Sequence, residues 1–234
     1  MLGIQGLSHV QNRVDGGKWS SIHKFGSNPT LSGSEETIWS AGGLYPWAAL
    51  ATPQILFVSS AGAADDGTVT IQGLDQDWAV LEETVSLAGS PSQITTINTF
   101  RRVFRALYTG VGPNADNITV RTLSHAGTIV AQIDAGKGQT LMTPYTVPAG
   151  HIGYLVGYTS GVGKLDNADI FLYVGNQGQN FRIKSEMSVY QSVQHQPFSI
   201  PLTFGEKTDI DFRAKGASPN SICTLNYDLV LRRL

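Results

Sequence analysis

Cys223-Thr224-Leu225-Asn226-Tyr227-Asp228-Leu229-Val230-Leu231-Arg232 sets apolar side chains at Cys223, Leu225, Tyr227, Leu229 and Leu231, with mostly polar ones between them. Successive side chains of a β-strand point to opposite faces, so this period of two predicts a strand with one buried face. The same period runs backwards through the chain. Thr68-Val69-Thr70-Ile71-Gln72 alternates cleanly, and Leu81, Val85 and Leu87 share a parity within Trp78 to Leu87. Further strands are expected over 54–60, 93–99, 100–109, 117–123 and 128–134. In the second half Tyr154, Val156 and Tyr158 share one phase, as do Ile170, Leu172 and Val174. Phe181, Ile183, Met187 and Val189 form another such set, and Ile210 pairs with Phe212. Gly, Pro and Asn clusters such as Gly110-Val111-Gly112-Pro113-Asn114 punctuate the runs as turns. No segment shows a convincing amphipathic helix. Ten to twelve short strands without alternating helices predict an all-β fold, a jelly-roll-like antiparallel β-sandwich.

The first fifty residues read differently. They hold three of the four tryptophans, Trp19, Trp39 and Trp47, with Phe25 and Tyr45 adding ring surface among Gly, Ser and Pro. The expected organisation is therefore an irregular, aromatic-rich N-terminal arm over 1–52 and a sandwich over 53–234. Rings in such an arm must be buried, either on the chain's own domain or on a neighbour, and the sequence leaves both open.

Composition narrows the function. Charged residues are 15% of the 234, below the roughly 25% of an average soluble domain. A surface poor in charge suits a protein that spends its life against other protein. The net charge of -2 supplies no basic footprint of the kind nucleic-acid binders use to neutralise phosphates, so no nucleic-acid partner is expected. No apolar stretch approaches the ~20 residues of a membrane span, and no secretion signal opens the chain, so no membrane partner is expected. The single cysteine, Cys223, excludes an intrachain disulfide and reads as a buried thiol.

The search for chemistry returns little. His9, His23, His125, His151 and His195 are scattered without metal-ligand spacing, and no nucleophile elbow, phosphate loop or dinucleotide fingerprint occurs. Asp65, Asp66, Asp75 and Asp77 lack the spacing of a calcium loop and read as turn formers. Glu82 and Glu83, adjacent on a strand, point to opposite faces and cannot share a substrate. The expectation is a protein that is not an enzyme, with no cofactor and no metal.

One basic cluster stands out, Phe100-Arg101-Arg102-Val103-Phe104-Arg105. It reads as an interface strand, or as a strand edge on which positive charge discourages stray pairing. Phosphate binding is the weakest reading, because nothing near it in sequence is basic. Trp19, Phe25, Trp39 and Trp47 are the expected anchors of the arm, and Arg101, Arg102 and Arg105 the expected polar interface contacts.

Several segments together resemble structural proteins of tailed phages, particularly those of marine and cyanobacterial hosts. They begin with His23-Lys24-Phe25-Gly26-Ser27-Asn28-Pro29, Ile38-Trp39 and Tyr45-Pro46-Trp47. Thr68 to Asp75, Glu83 to Leu87 and Phe100 to Ala106 follow in the middle, then Pro144 to Gly150 and Thr208 to Ala214. The resemblance implies a virion structural protein, most simply a capsid decoration (cement) protein on the capsid surface, made in the host cytoplasm. It implies a homo-oligomer, a trimer, bracing the head by packing on the major capsid protein. The alternative is a tail or neck component, including a glycan- or receptor-binding sandwich module with Trp78 or Tyr108 as the stacking ring.

Overall fold

The computed structural model describes residues 17–234 except 91 and 125, so the part of the arm before Gly17, His9 and His125 lie outside the described residues. Sixteen strands are present among them. The first half holds β1 (Trp19–Leu31), β2 (Glu36–Thr37), β3 (Leu56–Ser60), β4 (Thr68–Leu74), β5 (Val80–Ser86), β6 (Gln93–Thr95), β7 (Arg102–Thr109), β8 (Ile118–Thr122) and β9 (Ile129–Ile133). The second half holds β10 (Tyr145–Thr146), β11 (His151–Val162), β12 (Asn167–Asn176), β13 (Gln179–Tyr190), β14 (Val193–Phe204), β15 (Thr208–Gly216) and β16 (Ser221–Arg233). The described helical turn is a 3-10 segment, Trp47–Leu50. The protein is all-β, built of several antiparallel sheets.

Two cores, not one, organise these strands. In the terminal sandwich, a sheet in the order β1-β16-β11-β14 faces another in the order β10-β15-β12-β13, with β2 added beside β15. Ile170, Leu172, Ile210, Phe212, Leu225, Tyr227 and Leu229 fill the space between them. In the middle sandwich, β6-β3-β8-β9 faces β5-β4-β7 over Val58, Val69, Ile71, Val85, Ile118, Val120 and Ile133. From Trp19 onward the chain therefore builds one sandwich, leaves to build the other, and returns.

Within the expected irregular arm over 1–52, residues 19–31 depart from that expectation. Trp19–Leu31 is a regular strand paired residue by residue with β16, from Trp19 opposite Arg232 to Leu31 opposite Ser221. Gly26 and Pro29 made it look irregular. Gly26 lies where an added Cβ would overlap the Ile38 carbonyl and Thr143, so close packing requires it. Pro29 sits at a register shift on an edge strand, where a missing N–H costs no ladder bond.

Two of the expected phases are broken by β-bulges, each of which adds a residue and flips the following side chains. On β11 the shift falls between Leu155 and Tyr158, so both of these face the core while Tyr154 packs outside against Trp19. On β13 the shift leaves Lys184 as the extra residue: Met187 and Val189 point into the terminal core, whereas Phe181 joins the middle one.

A third bulge, on β7 opposite Gly73, sends Val103 into the middle core and Phe104 into the terminal core. Any Cβ at Gly73 would overlap the carbonyl oxygen of Arg102 and crowd the Phe100 ring. Gly73→Ala is expected to destabilise the fold by about 2–3 kcal/mol, the scale of overpacking against backbone. Gly205→Ala, where the added methyl meets open space, is expected to stay within about 0.5 kcal/mol. Urea midpoints of the two variants make the check.

Candidate functional site

β15 has two dry faces. Ile210, Phe212 and Ala214 point into the terminal core, and the alternate residues Asp209, Asp211 and Arg213 point toward the middle sandwich. A carboxylate without water needs full compensation, and each of these receives it. Asp209 accepts from Arg102 Nε at 2.9 Å, from Arg102 Nη2 at 3.1 Å, from the Thr146 hydroxyl at 2.5 Å, and from the Gly178 amide. Asp211 accepts from Arg213 Nε at 2.8 Å, the Thr37 hydroxyl at 2.9 Å and the Trp47 indole at 3.2 Å. Burial pushes the Asp211 carboxyl upward, and the Arg213 charge opposes that.

Arg102 is the centre of this seam. Its side chain is 2% exposed, and Nη1 donates to the carbonyls of Leu50 at 3.0 Å and Arg101 at 2.8 Å. The Trp47 and Trp78 rings lie against its guanidinium at 5.4 and 5.0 Å. Around it, Trp39, Tyr45 and Trp47 stack edge to face at 5.2 and 4.7 Å, and the Tyr45 hydroxyl donates to the Val103 carbonyl at 3.0 Å. Burial raises the Tyr45 pKa, so this donor keeps its proton. The two sandwiches are thus locked by a hydrogen-bonded, aromatic-lined ion pair.

The expected interface residues fall into two groups. Trp39 and Trp47 bury on the chain itself, one of the two fates the sequence left open, and Arg102 is buried with them, which corrects its reading as a polar contact to a partner. Buried guanidinium demands a carboxylate, and the chain itself supplies one 107 residues away. Arg101 reaches the Ala51 carbonyl and stacks on Trp78 at 5.0 Å. Trp78 is itself buried between two guanidinium groups, so it offers no sugar platform. Tyr108 is partly buried against the middle core. Three candidates stay at the surface: Trp19, beside Tyr154 and Arg232; Phe25, exposed; and Arg105, which donates to the His23 carbonyl.

The other sequence candidates are structural. Asp65 accepts from the Ser60 hydroxyl and from the amides of Ala115 and Asp116, and Asp75 accepts from the amides of Asp77 and Ala79. Glu82 holds Gln72, while Glu83 holds the backbone of Ile97 and Asn98. Cys223 is buried next to Ser160, and burial pushes its thiol up to about 12.

An exposed apolar end went unread in the sequence. At one end of the terminal sandwich, three turns are tied together through Asp166. Its carboxylate accepts the Ile222 amide at 2.9 Å and its carbonyl the Gln191 amide at 2.9 Å, while the Val162 amide donates to the Ser192 carbonyl at 3.1 Å. These bonds gather Leu165, Tyr190, Val193 and Ile222, all exposed, Leu165 by 82% and Val193 by 68%. A depression of about 300 Å3, lined by Asn167, Asp169, Tyr190 and Lys215, adjoins them. Scattered single apolar residues are ordinary, but four gathered on one end make a candidate contact surface.

No protein-family model matches the chain, and no curated protein matches it. Among solved structures it is similar to an isomalto-dextranase of Arthrobacter globiformis T6 complexed with panose, at 13% identity and a TM-score of 0.27. That match covers 91% of this chain and 35% of the other, so the chain spans about a third of the dextranase's length. It is also similar to the infectious bursal disease virus VP2 subviral particle, at 9% identity and a TM-score of 0.24, over 92% of this chain and 72% of that one. The Gx strain of the same virus gives 9% identity and a TM-score of 0.27 over the same shares. At these scores the likeness is a weak structural similarity to viral capsid proteins and other β-rich proteins.

Proposed function

We propose that this chain is a virion structural protein, a capsid decoration protein that stabilises a phage head by oligomeric packing on the major capsid protein. The exposed apolar end formed by Leu165, Tyr190, Val193 and Ile222 carries this reading, as the surface that would seat against another subunit. The low charge and the resemblance to tailed-phage structural proteins support it. So does the rigid seam, because a brace under pressure must not hinge between its two sandwiches.

The strand edges beside that end are poor docking sites. β13 carries Arg182, Lys184 and a bulge, and β14 carries Pro197 and Pro201, all of which obstruct edge-to-edge pairing. Contact is therefore assigned to side chains rather than to strand addition.

The double variant Tyr190→Ser/Val193→Ser tests the reading. It is expected to sediment at a lower mass than the wild-type chain and to bind undecorated heads at least tenfold more weakly, with its unfolding midpoint little changed. A wild-type chain that is monomeric at every concentration and absent from purified heads refutes the proposal.

A second reading, a tail or neck module for glycans, is favoured by one observation. Gln93, Ser59, Thr119 and Gln132 stand in register across all four strands of the β6-β3-β8-β9 sheet. A polar groove of about 620 Å3 runs along the last three of them. Labelling the protein on particles, head against tail, separates the two readings.

A further inference from the structure

Lys24 is the most anomalous side chain in the fold. It is 2% exposed on β1, and its ammonium nitrogen has one acceptor among the described residues, the carbonyl of Phe104. A buried lysine ordinarily meets a carboxylate, and here none does. Instead Arg105 of β7 stands close enough to repel it: burial first, and then the Arg105 charge, hold its pKa well below the usual lysine range. Both residues line a cleft of about 390 Å3 between the two sandwiches, together with His23, Gln72, Gln139 and Thr140. Among the described residues, the cleft wall contains no acidic one. Two carboxylates hold lining side chains, Asp228 with His23 at 2.8 Å and Glu82 with Gln72 at 2.7 Å, and neither lines the cleft itself. The described lining thus offers a guanidinium, an amine, an imidazole, two amides and two hydroxyls, with no carboxylate among them.

We infer that this cleft is an oxyanion site, in which a carboxylate or phosphate group is held between Lys24 and Arg105. The basic run at Arg101 to Arg105 looked isolated in the sequence, yet folding brings Lys24 to it from 80 residues away. Arg102 of that run is consumed by Asp209 in the seam, which leaves Arg105 as the member facing the cleft. Arginine presents a planar fork suited to two oxygens of one anion, and a lysine beside it adds a point charge. An anion there also offsets the Arg105 charge beside Lys24 and supplies the carboxylate-like partner that buried Lys24 lacks among the described residues.

Thermal melts and isothermal titration of the full chain, with sodium phosphate in one arm and sodium succinate in the other, test this at ionic strength matched with sodium chloride. A ligand that binds only the folded state raises the melting temperature, and a saturable rise of about 5 °C is expected at ligand in large excess over Kd. A response to phosphate alone identifies a phosphoryl source, and a response to succinate identifies a carboxylate source such as an acidic side chain of a neighbour. Lys24→Met and Arg105→Gln are each expected to lose the saturable rise. Two variants are used so that a folding defect in one does not decide the matter. An equal rise with sodium chloride, no rise with either anion, or a full rise retained in folded Lys24→Met overturns the inference.

Discussion

Replacing Arg102 with methionine is expected to lower the unfolding free energy by about 3–5 kcal/mol, the cost of leaving a buried charge without its partner. The charge left behind is Asp209, which is fully buried and would keep only the Thr146 hydroxyl and the Gly178 amide. Arg102→Lys is expected to recover little, because an ammonium cannot reproduce two bonds to one carboxylate plus two to the carbonyls of Leu50 and Arg101. Arg102→Met combined with Asp209→Asn removes both charges and is expected to be more stable than Arg102→Met alone. Urea unfolding followed by tryptophan fluorescence reads all three, since Trp47 and Trp78 lie against the guanidinium. A loss under about 1 kcal/mol for Arg102→Met would show that the seam is not what locks the sandwiches together.

The second large effect has the opposite sign. Lys24→Met is expected to stabilise the free chain by about 1–3 kcal/mol at neutral pH, the cost of burying a lysine with no carboxylate partner outweighing one orphaned carbonyl at Phe104. At the size of these sandwiches that corresponds to a few degrees in Tm. The pH dependence follows from the direction of the shift. The folded-state pKa of Lys24 lies well below the 10.5 of the unfolded chain, chiefly because of burial. Between those two values the unfolded chain binds the extra proton, so wild-type stability rises with pH across that window. Below the folded pKa the whole penalty is present. Lys24→Met removes this component, so its advantage is greatest at low pH and fades toward pH 10.5. Guanidinium or urea titrations at several pH values test it, and a variant less stable than wild type at neutral pH contradicts it.

Most of the strands could be read from the chain, and their pairing into two sandwiches could not. Alternation at Thr68 to Gln72 and at Cys223 to Leu231 is local and survives intact in β4 and β16. β14 escaped notice because Pro197 and Pro201 argue against a strand, an argument that loses force at a sheet edge. The phases of Tyr154 and Phe181 were misread because a bulge is one additional residue with no marker of its own. The arginine cluster was found, but which member turns inward depends on Asp209, and nothing near Arg102 in sequence announces that partner. A local sign did exist at the other end. Asp209, Asp211 and Arg213 alternate with Ile210 and Phe212, and charges opposite core residues on so apolar a strand point to a second covered face. The exposed end was invisible for a different reason: Leu165, Tyr190, Val193 and Ile222 belong to three separate turns that only hydrogen bonding through Asp166 assembles.

The pairing of β1 with β16 also fixes an order of events during synthesis. The middle sandwich draws its strands from one uninterrupted stretch, Leu56 to Ile133, and can form while later residues are still being added. Trp19 has no ladder partner until Arg232 has emerged from the ribosome, so the first strand is made early and used last. Through that interval its apolar residues lack the cover that β16 later gives them. Nascent chains arrested before Ser221 would hold a folded centre and a loose leading segment, and protease digestion of such chains would cut first ahead of Leu56.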